Sequence, residues 1–304
     1  MKMEDYVLVG DPTKKWVTDH IVEVLEKECA LPVFPAAAMK ICTLSQQEGV
    51  TLEEFAQVIS MDPGLAARSI QVAGSVGFAA RPIDSIFQAL MIIGLKEIRR
   101  VAIAVGALGS LSDFRENADW KRWWIHSILV ARLTDKVAAS FRRTNGMEYL
   151  SGLLHDVGKL FIERYFPKEF EGIMREARLR RRAHAMVEPK FLGLDHTRIG
   201  GAITQRLEVH KHVLLAVLYH HDPLCAEHTT DPAGDGGFLA ACVAVADALA
   251  HQRRDDDTEP AEQMLQIQQL PAWIFLKNFG IPGSLEIDLA VEFDKTEREV
   301  SALL

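Results

Sequence analysis

Histidines and aspartates in the second half of the sequence are the residues best suited to chemistry, and their pattern is typical of a metal site. Imidazole nitrogen and carboxylate oxygen together suit iron, manganese, zinc, cobalt or nickel, and a bridging carboxylate lets two ions share one site. The candidate ligands are His126, His155, Asp156, His196, His220, His221 and Asp247. The sequence therefore predicts one or two divalent transition-metal ions as cofactor.

The segment GLLHDVGK, residues 152–159, carries the most information. An adjacent His155-Asp156 pair on an apolar helix can be buried only if both side chains have partners, and a metal ion satisfies both. Gly158 permits another backbone to approach closely. Lys159 is predicted to lie on the same helix face as His155, where its ammonium group meets a phosphate oxygen. An ammonium group has no acceptor, so we expect Lys159 to face a substrate rather than to bind metal.

Most of the candidate ligands also have a purely structural interpretation. His126 can be an internal hydrogen-bonding residue, and His196 can start a helix that the preceding aspartate caps. The His220-His221 pair can lie at a helix C-terminus, where a cation interacts favourably with the helix dipole. Asp247 is harder to explain in this way, because a carboxylate buried in an apolar helix needs a cationic or metallic partner.

The secondary structure that carries these side chains is predicted to be helical. Apolar residues recur at three- and four-residue spacing, and strict two-residue alternation is almost absent, so the predicted fold class is all-α. Local signals for helix starts are Asp11-Pro12, the capping box Thr51–Glu54, Asp62-Pro63 and Asp84-Ser85. Gly94 interrupts one helical pattern. Continuous helices are predicted over residues 148–165 and 168–186.

Domain organisation is predicted from a polar segment at residues 110–120, which suits a join between helical bundles. Residues 1–115 are expected to form an N-terminal helical subdomain. Residues 116–304 are expected to form the metal-binding helical bundle with a C-terminal helical extension. The basic run at residues 178–182 is interpreted as the solvated face of a surface helix, with contact to a phosphate or an acidic partner as the alternative.

The composition excludes several classes of protein. The 304 residues are 48% apolar and 25% charged, with a net charge of −8, which excludes disorder and makes nucleic acid an unexpected partner. No apolar stretch approaches the length that spans a bilayer, so no membrane association is expected. The N-terminal residues do not resemble a signal peptide. The four cysteines are widely spaced, which predicts reduced thiols and a cytoplasmic location.

The sequence resembles the HDOD family, a branch of the HD-domain superfamily related to the HD-GYP cyclic-dinucleotide phosphodiesterases. The resemblance covers residues 28–251. Its motifs are LPVFP (31–35), ISMDPGL (59–65), AGS (73–75), RPIDSIFQAL (81–90), IGL (93–95), GLLHDVGK (152–159), DH (195–196) with GG (200–201), and HHDP (220–223). The resemblance implies an all-helical fold with an HD-like bundle as its core.

The same resemblance implies how the ligands divide. Catalytic HD proteins hold a metal with a histidine, a His-Asp pair and a distal aspartate, and enzymes with two metals add further histidines. The first set matches His126, His155, Asp156 and Asp247, and the second matches His196, His220 and His221. The Gly-Tyr-Pro segment of the cyclic-dinucleotide enzymes is missing, and Arg122 stands where some of them carry an acidic ligand. Cyclic di-GMP is therefore disfavoured as a substrate.

Two functions are consistent with these features. Many HDOD members have lost several ligands and are regarded as regulatory, and this sequence contains no kinase, receiver or DNA-binding motif. We therefore expect a signal-transduction protein with a metal-binding HD site that acts through protein partners. The alternative is a metal-dependent phosphohydrolase acting on a nucleotide or another phosphoester. In that enzyme Asp156 bridges two ions that activate a water molecule, and Lys159 stabilises charge on the phosphoryl oxygens.

Overall fold

The structure, a computed structural model, describes residues 11–27, 36–44, 49–75, 85–111, 120–226, 235–252, 266–283 and 287–303, together with 47 and 285. Some of the predicted features lie outside these residues. They are Cys29, the motif at 31–35, residues 81–84 of the motif at 81–90, the centre of the polar segment at 112–119 and the charged stretch that follows Gln252.

The first part of the chain forms five helices among the described residues. After a 3₁₀ turn at Pro12–Lys14 they are α1 (Lys15–Lys27), α2 (Ala36–Leu44), α3 (Leu52–Ser60), α4 (Pro63–Ser75) and α5 (Ile86–Ser110). The predicted capping box is present, since Thr51 Oγ1 accepts from the Glu54 amide at 3.3 Å and Glu54 Oε2 accepts from the Thr51 amide at 2.8 Å. Gly94, at φ 82°, kinks α5 where the sequence predicted an interruption.

The second part of the chain contains the remaining described helices. They are α6 (Trp120–Ala139), α7 (Met147–Leu154), α8 (Val157–Tyr165), α9 (Pro167–Arg180), α10 (His184–Leu192), α11 (His196–Arg206), α12 (Lys211–Tyr219), α13 (Pro223–Ala226), α14 (Asp235–Gln252), α15 (Pro271–Leu276) and α16 (Leu289–Leu303). A 3₁₀ turn at Lys277–Phe279 follows α15.

The prediction of an all-α fold is confirmed, because the described residues contain helices and no strand. Two helix predictions were wrong. The pattern over residues 148–165 divides between α7 and α8, with His155 and Asp156 in the turn between them. The pattern over residues 168–186 ends at Arg181, whose left-handed backbone (φ 50°) terminates α9 before α10 begins.

Helix α6 lies at the centre of the second part, in contact with α7, α14 and α16. One apolar core contains residues from both sides of the predicted domain boundary, for example Ile98 of α5 and Leu150 of α7. A second core joins α6, α14 and α15 through Leu133, Val243 and Trp273. Helix α5 ends at Ser110 and α6 begins at Trp120, while the division into two domains stays a prediction.

The helices differ in length and apolar character, and both properties bear on membrane insertion. Within the described ranges, none of the helices combines the length and the apolar character that crossing a bilayer requires.

Candidate metal centre

All of the candidate ligands predicted from the sequence lie around one point of the second part of the chain. Helix α6 carries His126, the turn between α7 and α8 carries the His155-Asp156 pair, and α14 carries Asp247. His196 is the first residue of α11. His220 and His221 follow the last residue of α12. Residues that are far apart in sequence are thus brought together by the packing of these helices.

The first ligand group consists of His126, His155, Asp247 and the Oδ2 atom of Asp156. His126 Nε2 lies 3.2 Å from Asp247 Oδ1. His155 Nε2 lies 3.4 Å from Asp156 Oδ2 and 3.7 Å from Asp247 Oδ1. His126 Nε2 is 3.9 Å from Asp156 Oδ2. Two imidazole nitrogens and two carboxylates therefore converge on one small volume.

The second ligand group consists of His196, His220, His221 and the other carboxylate oxygen of Asp156. His196 Nε2 lies 3.2 Å from Asp156 Oδ1, and His220 Nε2 lies 3.8 Å from the same oxygen. His221 Nε2 is 3.2 Å from His196 Nε2. Asp156 faces one group with each oxygen, which is the arrangement in which a carboxylate can bridge two ions.

Hydrogen bonds at Nδ1 orient two of these rings against the backbone. His155 Nδ1 donates to the Gly152 carbonyl at 2.8 Å, and His220 Nδ1 donates to the Val217 carbonyl at 2.9 Å. Because a carbonyl oxygen only accepts, the neutral rings keep the lone pair on Nε2, the atom that faces Asp156. Such partners behind a histidine are typical of metal ligands.

Buried polar atoms without a partner provide the test of whether these residues fit a metal. His155 Nε2, Asp156 Oδ1, His220 Nε2 and Asp247 Oδ1 are buried and have no hydrogen-bond partner within the described part of the chain. Leaving such atoms unsatisfied is unfavourable, whereas a divalent ion takes a lone pair from each. The atoms left unsatisfied belong to both ligand groups, so the residues fit a metal centre.

The electrostatics of the centre favour a charged Asp156 and a neutral His220. Burial raises the pKa of the Asp156 carboxyl, but the positive charges of His155 and Lys159 lower it well below its usual range. Burial lowers the pKa of His220 well below its usual range. For His155, burial lowers the pKa, but the Asp156 carboxylate raises it to about 10, so a metal ion must displace a proton there.

The turn at His155-Asp156 explains how two consecutive residues reach the same site. In a continuous helix consecutive side chains diverge by about 100°. Asp156 has a non-helical backbone (φ −104°, ψ 13°), and α8 restarts after it. The predicted close approach at Gly158 is made by α11, because a Cβ at Gly158 would lie 2.0 Å from the His196 carbonyl oxygen. This contact places His196 next to Asp156.

Lys159 lies on α8 rather than on the helix that precedes His155. Its ammonium Nζ is 2.6 Å from Asp156 Oδ2, and the side chain is almost fully buried. The Asp156 carboxylate raises the pKa of this amine despite the opposing effect of burial, so Lys159 is a cation. It also lines the cavity described below.

Glu188 and His251 belong to the surroundings of the centre and were not predicted. Glu188 on α10 is buried, and its Oε2 accepts from both the backbone amide and Nδ1 of His196, each at 2.7 Å. His251 is exposed, and its Nδ1 lies 3.1 Å from Asp247 Oδ1. The four-residue spacing from Asp247 on one helix was the signal that could have found His251.

A cavity of about 320 Å³ opens beside the first ligand group. Its buried end contains His126, Asp156 and Lys159, and its outer part contains exposed side chains. The lining residues are Arg122, Trp123, His126, Asp156, Lys159, Phe170, Met174, Ala177, Arg178, Arg182, His184 and His251. Two arginines that were interpreted as a solvated helix face, Arg178 and Arg182, are therefore exposed and also face this cavity.

Comparison with known proteins gives a consistent picture. A family model of the HDOD domain matches residues 31–223. The structure of an HDOD domain protein of unknown function from Geobacter sulfurreducens is similar, with 25% identity, a TM-score of 0.69 and coverage of 96% of this chain and 98% of that chain. A candidate phosphohydrolase from Shewanella amazonensis is 21% identical, with a TM-score of 0.65 and coverage of 93% and 98%, which shows a shared fold.

Two curated relatives match part of the sequence. Ribonuclease Y from Thermus thermophilus is 31% identical over 185 residues, which are 59% of this chain and 26% of that protein. An uncharacterized protein from Treponema pallidum is 23% identical over 203 residues, which are 63% of this chain and 38% of that protein. The chain thus spans well under half the length of these relatives.

Proposed function

This chain belongs to the HDOD domain family, and we propose that it is a signal-transduction protein whose HD site binds one or two divalent transition-metal ions. The observation that carries the metal proposal is the set of buried acceptor atoms without partners among the described residues of both ligand groups. Imidazole and carboxylate ligands of this kind suit iron, manganese, zinc, cobalt or nickel.

The two ligand groups determine which residues would hold each ion. His126, His155, Asp156 and Asp247 would hold one ion, while Asp156, His196, His220 and His221 would hold the second. Bound ions of this kind act as Lewis acids toward phosphoryl oxygens and make a water molecule acidic. Glu188 fixes the ring of His196 by accepting from its Nδ1. His155 and His220 are fixed by backbone carbonyls.

The regulatory part of the proposal comes from the family, whose members commonly lack part of the ligand set and are regarded as signalling modules. We propose that the output goes through protein partners, as expected of such a module. A cytoplasmic location and the absence of a nucleic-acid partner remain predictions from composition.

Metal analysis of protein purified without chelators tests the metal proposal. We expect about one or two equivalents of a transition metal in the wild type and a nearly complete loss in Asp156→Ala, because that carboxylate faces both ligand groups. Asp19→Ala, on the exposed face of α1, is the control and should keep its metal. Fully helical wild-type protein that takes up no transition metal at any tested excess would contradict the proposal.

Phosphohydrolase activity is the second candidate function, and the cavity beside the first ligand group is the observation that favours it. The cavity reaches Asp156 and Lys159, so a phosphate group placed there would meet an ammonium donor next to the candidate ions. Lys159 contacts the Asp156 carboxylate, and within the cavity the same cation can stabilise phosphoryl oxygens.

The variant Lys159→Ala distinguishes metal binding from phosphoester hydrolysis. We expect this variant to keep its metal and its helicity and to lose most of any turnover of a panel of nucleotides and phosphoesters, whereas Asp156→Ala loses metal and turnover together. Unchanged turnover in Lys159→Ala would remove the catalytic role of the lysine. A metal-loaded wild type that hydrolyses none of the panel leaves the signalling function as the conclusion.

A further inference from the structure

We propose that the cavity beside the metal centre recognises a nucleoside phosphate that carries at least two phosphate groups. The inference rests on the proposed function in one respect, since the metal centre with Lys159 would hold one phosphate group. The outer part of the cavity, formed by Arg122, Arg178 and Arg182, would hold the next one. An aromatic and apolar wall would hold the base.

Three arginines supply the charge for a second phosphate group. Arg122 lies in the first turn of α6, Arg178 in the last turn of α9, and Arg182 just after α9. All three are exposed and line the same cavity. In the part of the chain that the structure describes, none of their guanidinium groups is within 4.0 Å of a carboxylate. Among the described residues no carboxylate takes up their donors, and a guanidinium fork matches phosphate oxygens in a bidentate way.

The charge of this region is opposite to that of the whole chain. The sequence has a net charge of −8, yet the lining of the cavity contains three arginines and Lys159 against one carboxylate, Asp156, among the described residues. That carboxylate belongs to the candidate metal centre and already contacts Lys159. A concave cluster of cations in an acidic protein concentrates anions at this position.

The wall of the cavity is suited to a planar ring. Phe170, Met174 and Ala177 recur at four- and three-residue spacing on α9, so they share the face that also carries Arg178. Trp123 of α6 lies next to this face, with its ring centroid 6.4 Å from that of Phe170 at an interplanar angle of 57°. Trp123, Phe170 and Met174 are only partly buried, so part of their apolar surface remains open to a ligand. Nucleotide bases stack on aromatic side chains of this kind, and the stacking tolerates any base.

The arrangement of charged and aromatic groups in the cavity determines which class of ligand fits it. The buried end offers metal ligands and an ammonium group, the exposed end offers guanidinium groups, and the aromatic wall lies beside them. A monophosphate would use the buried end alone. A ligand with two linked phosphate groups offers one group to the buried cation and one to the exposed cations that line the same cavity, and a cavity of about 320 Å³ is within the range of small-molecule sites.

Calorimetric titration with ADP, AMP and pyrophosphate tests this inference. The arginine contribution is measured on chelator-treated protein, where turnover cannot consume ADP. We expect ADP to bind more tightly than AMP, and the double variant Arg178→Ala/Arg182→Ala to bind ADP at least about tenfold more weakly than the wild type, because each lost charged hydrogen bond weakens binding. The control is Arg175→Ala, an arginine of the same helix outside the cavity lining, which should bind ADP like the wild type.

The aromatic wall is tested separately with Trp123→Ala. We expect this variant to lose affinity for ADP while its affinity for pyrophosphate stays the same, since pyrophosphate has no ring to stack. Trp16→Ala, an exposed tryptophan of α1, is the matched control.

The outcomes separate this inference from the proposed metal centre. If ADP binding depends on the arginines in a protein that takes up no metal, the nucleotide inference is supported and the proposed metal centre is contradicted. Normal metal content with equal ADP affinity in the wild type, the double arginine variant and Arg175→Ala overturns the inference and leaves the metal centre intact. Equal affinity for ADP and AMP in the wild type also overturns it.

Discussion

Two buried clusters of charged side chains lie along α6, and they differ in how their charges are neutralised. One is the candidate metal centre near His126. The other, which we call the ionic network, consists of Arg132 and Asp135 of α6, Glu97 and Arg100 of α5, and Glu292 and Glu299 of α16. Both clusters remove charge from water, which is unfavourable unless partners compensate.

In the ionic network every carboxylate contacts an arginine of the protein. Arg132 Nε donates to Glu292 Oε2 at 2.9 Å, and its Nη1 lies 3.3 Å from carboxylate oxygens of Glu97 and Glu299. Arg100 Nε donates to Asp135 Oδ2 at 3.0 Å. Asp135 Oδ1 accepts no hydrogen bond from the described residues, but it lies 4.0 Å from Arg99. This network joins three helices and has a structural role.

The metal centre differs from this network, because its Nε2 atoms and carboxylate oxygens converge on one small volume. Lys159 donates to Asp156 Oδ2 at the edge of the centre, but buried ligand atoms in the middle have no partner among the described residues. The comparison shows that burial of charge does not by itself mark a functional site. What distinguishes the candidate cation site is a group of converging ligand atoms that have no partner among the described residues.

Arg132→Met should give the largest loss of stability. It leaves two buried carboxylates, Glu292 and Glu299, with less compensation, so we expect the free energy of unfolding to fall by about 3–5 kcal/mol. Chemical denaturation measures this change. Lys136→Met is the control, since Lys136 is partly exposed and contacts the same Glu292 at 3.0 Å, and it should cost less than about 1 kcal/mol. Equal losses in both variants would contradict the assignment of Arg132 as the centre of the network.

Metal removal should affect the other cluster. With free metal at about 100 times its dissociation constant, chelation should lower the free energy of unfolding by about 2.7 kcal/mol. Thermal denaturation with and without a chelator measures the effect. Arg132→Met should show the same chelator-dependent decrease as the wild type, and Asp156→Ala should show none. A chelator effect that persists in Asp156→Ala would place the metal elsewhere in the protein.

Acid titration should distinguish the network by its pH dependence. Burial raises the pKa of the Asp135 carboxyl, but Arg100 and Lys96 lower it to about 2. Its stabilisation, about 2 kcal/mol, is present above its unfolded pKa near 4 and is lost as the pH falls through about 2. The difference in stability between the wild type and Asp135→Asn should therefore be constant above about pH 4 and shrink below it. A difference that stays constant down to about pH 2 contradicts the lowered pKa.

Glu188→Gln should give the smallest effect. The amide keeps the shape of the side chain but removes the charge that His196 Nδ1 contacts, so we expect metal affinity to fall by about tenfold with little change in folding. Competition with a chelating dye measures the affinity. Glu176→Gln, a carboxylate on α9 that pairs with Lys190 away from the centre, is the control and should leave the affinity unchanged.

Features that depend on neighbouring residues could be predicted from the sequence alone. The all-α class follows from apolar spacing, and the helix start at Thr51 follows from a side chain and an amide three residues apart. The types of metal ligand could also be predicted, because a buried aspartate such as Asp247 in an apolar helix requires a partner. The family resemblance added the order in which the ligands occur, and the structure places all of them around one point.

Contacts between distant groups became visible only once the helices were packed. Arg132 and Glu292 are 160 residues apart, and no local pattern specifies their contact. The turn at His155-Asp156 replaced a predicted continuous helix, since α8 packs on α11 through Gly158. From the sequence, Arg178 and Arg182 belong to a basic segment on a solvated helix face. Their position in the cavity lining becomes visible only when α9 is placed beside α6. Capping and periodicity act within a few residues, whereas charge pairing and cavity formation depend on how whole helices pack.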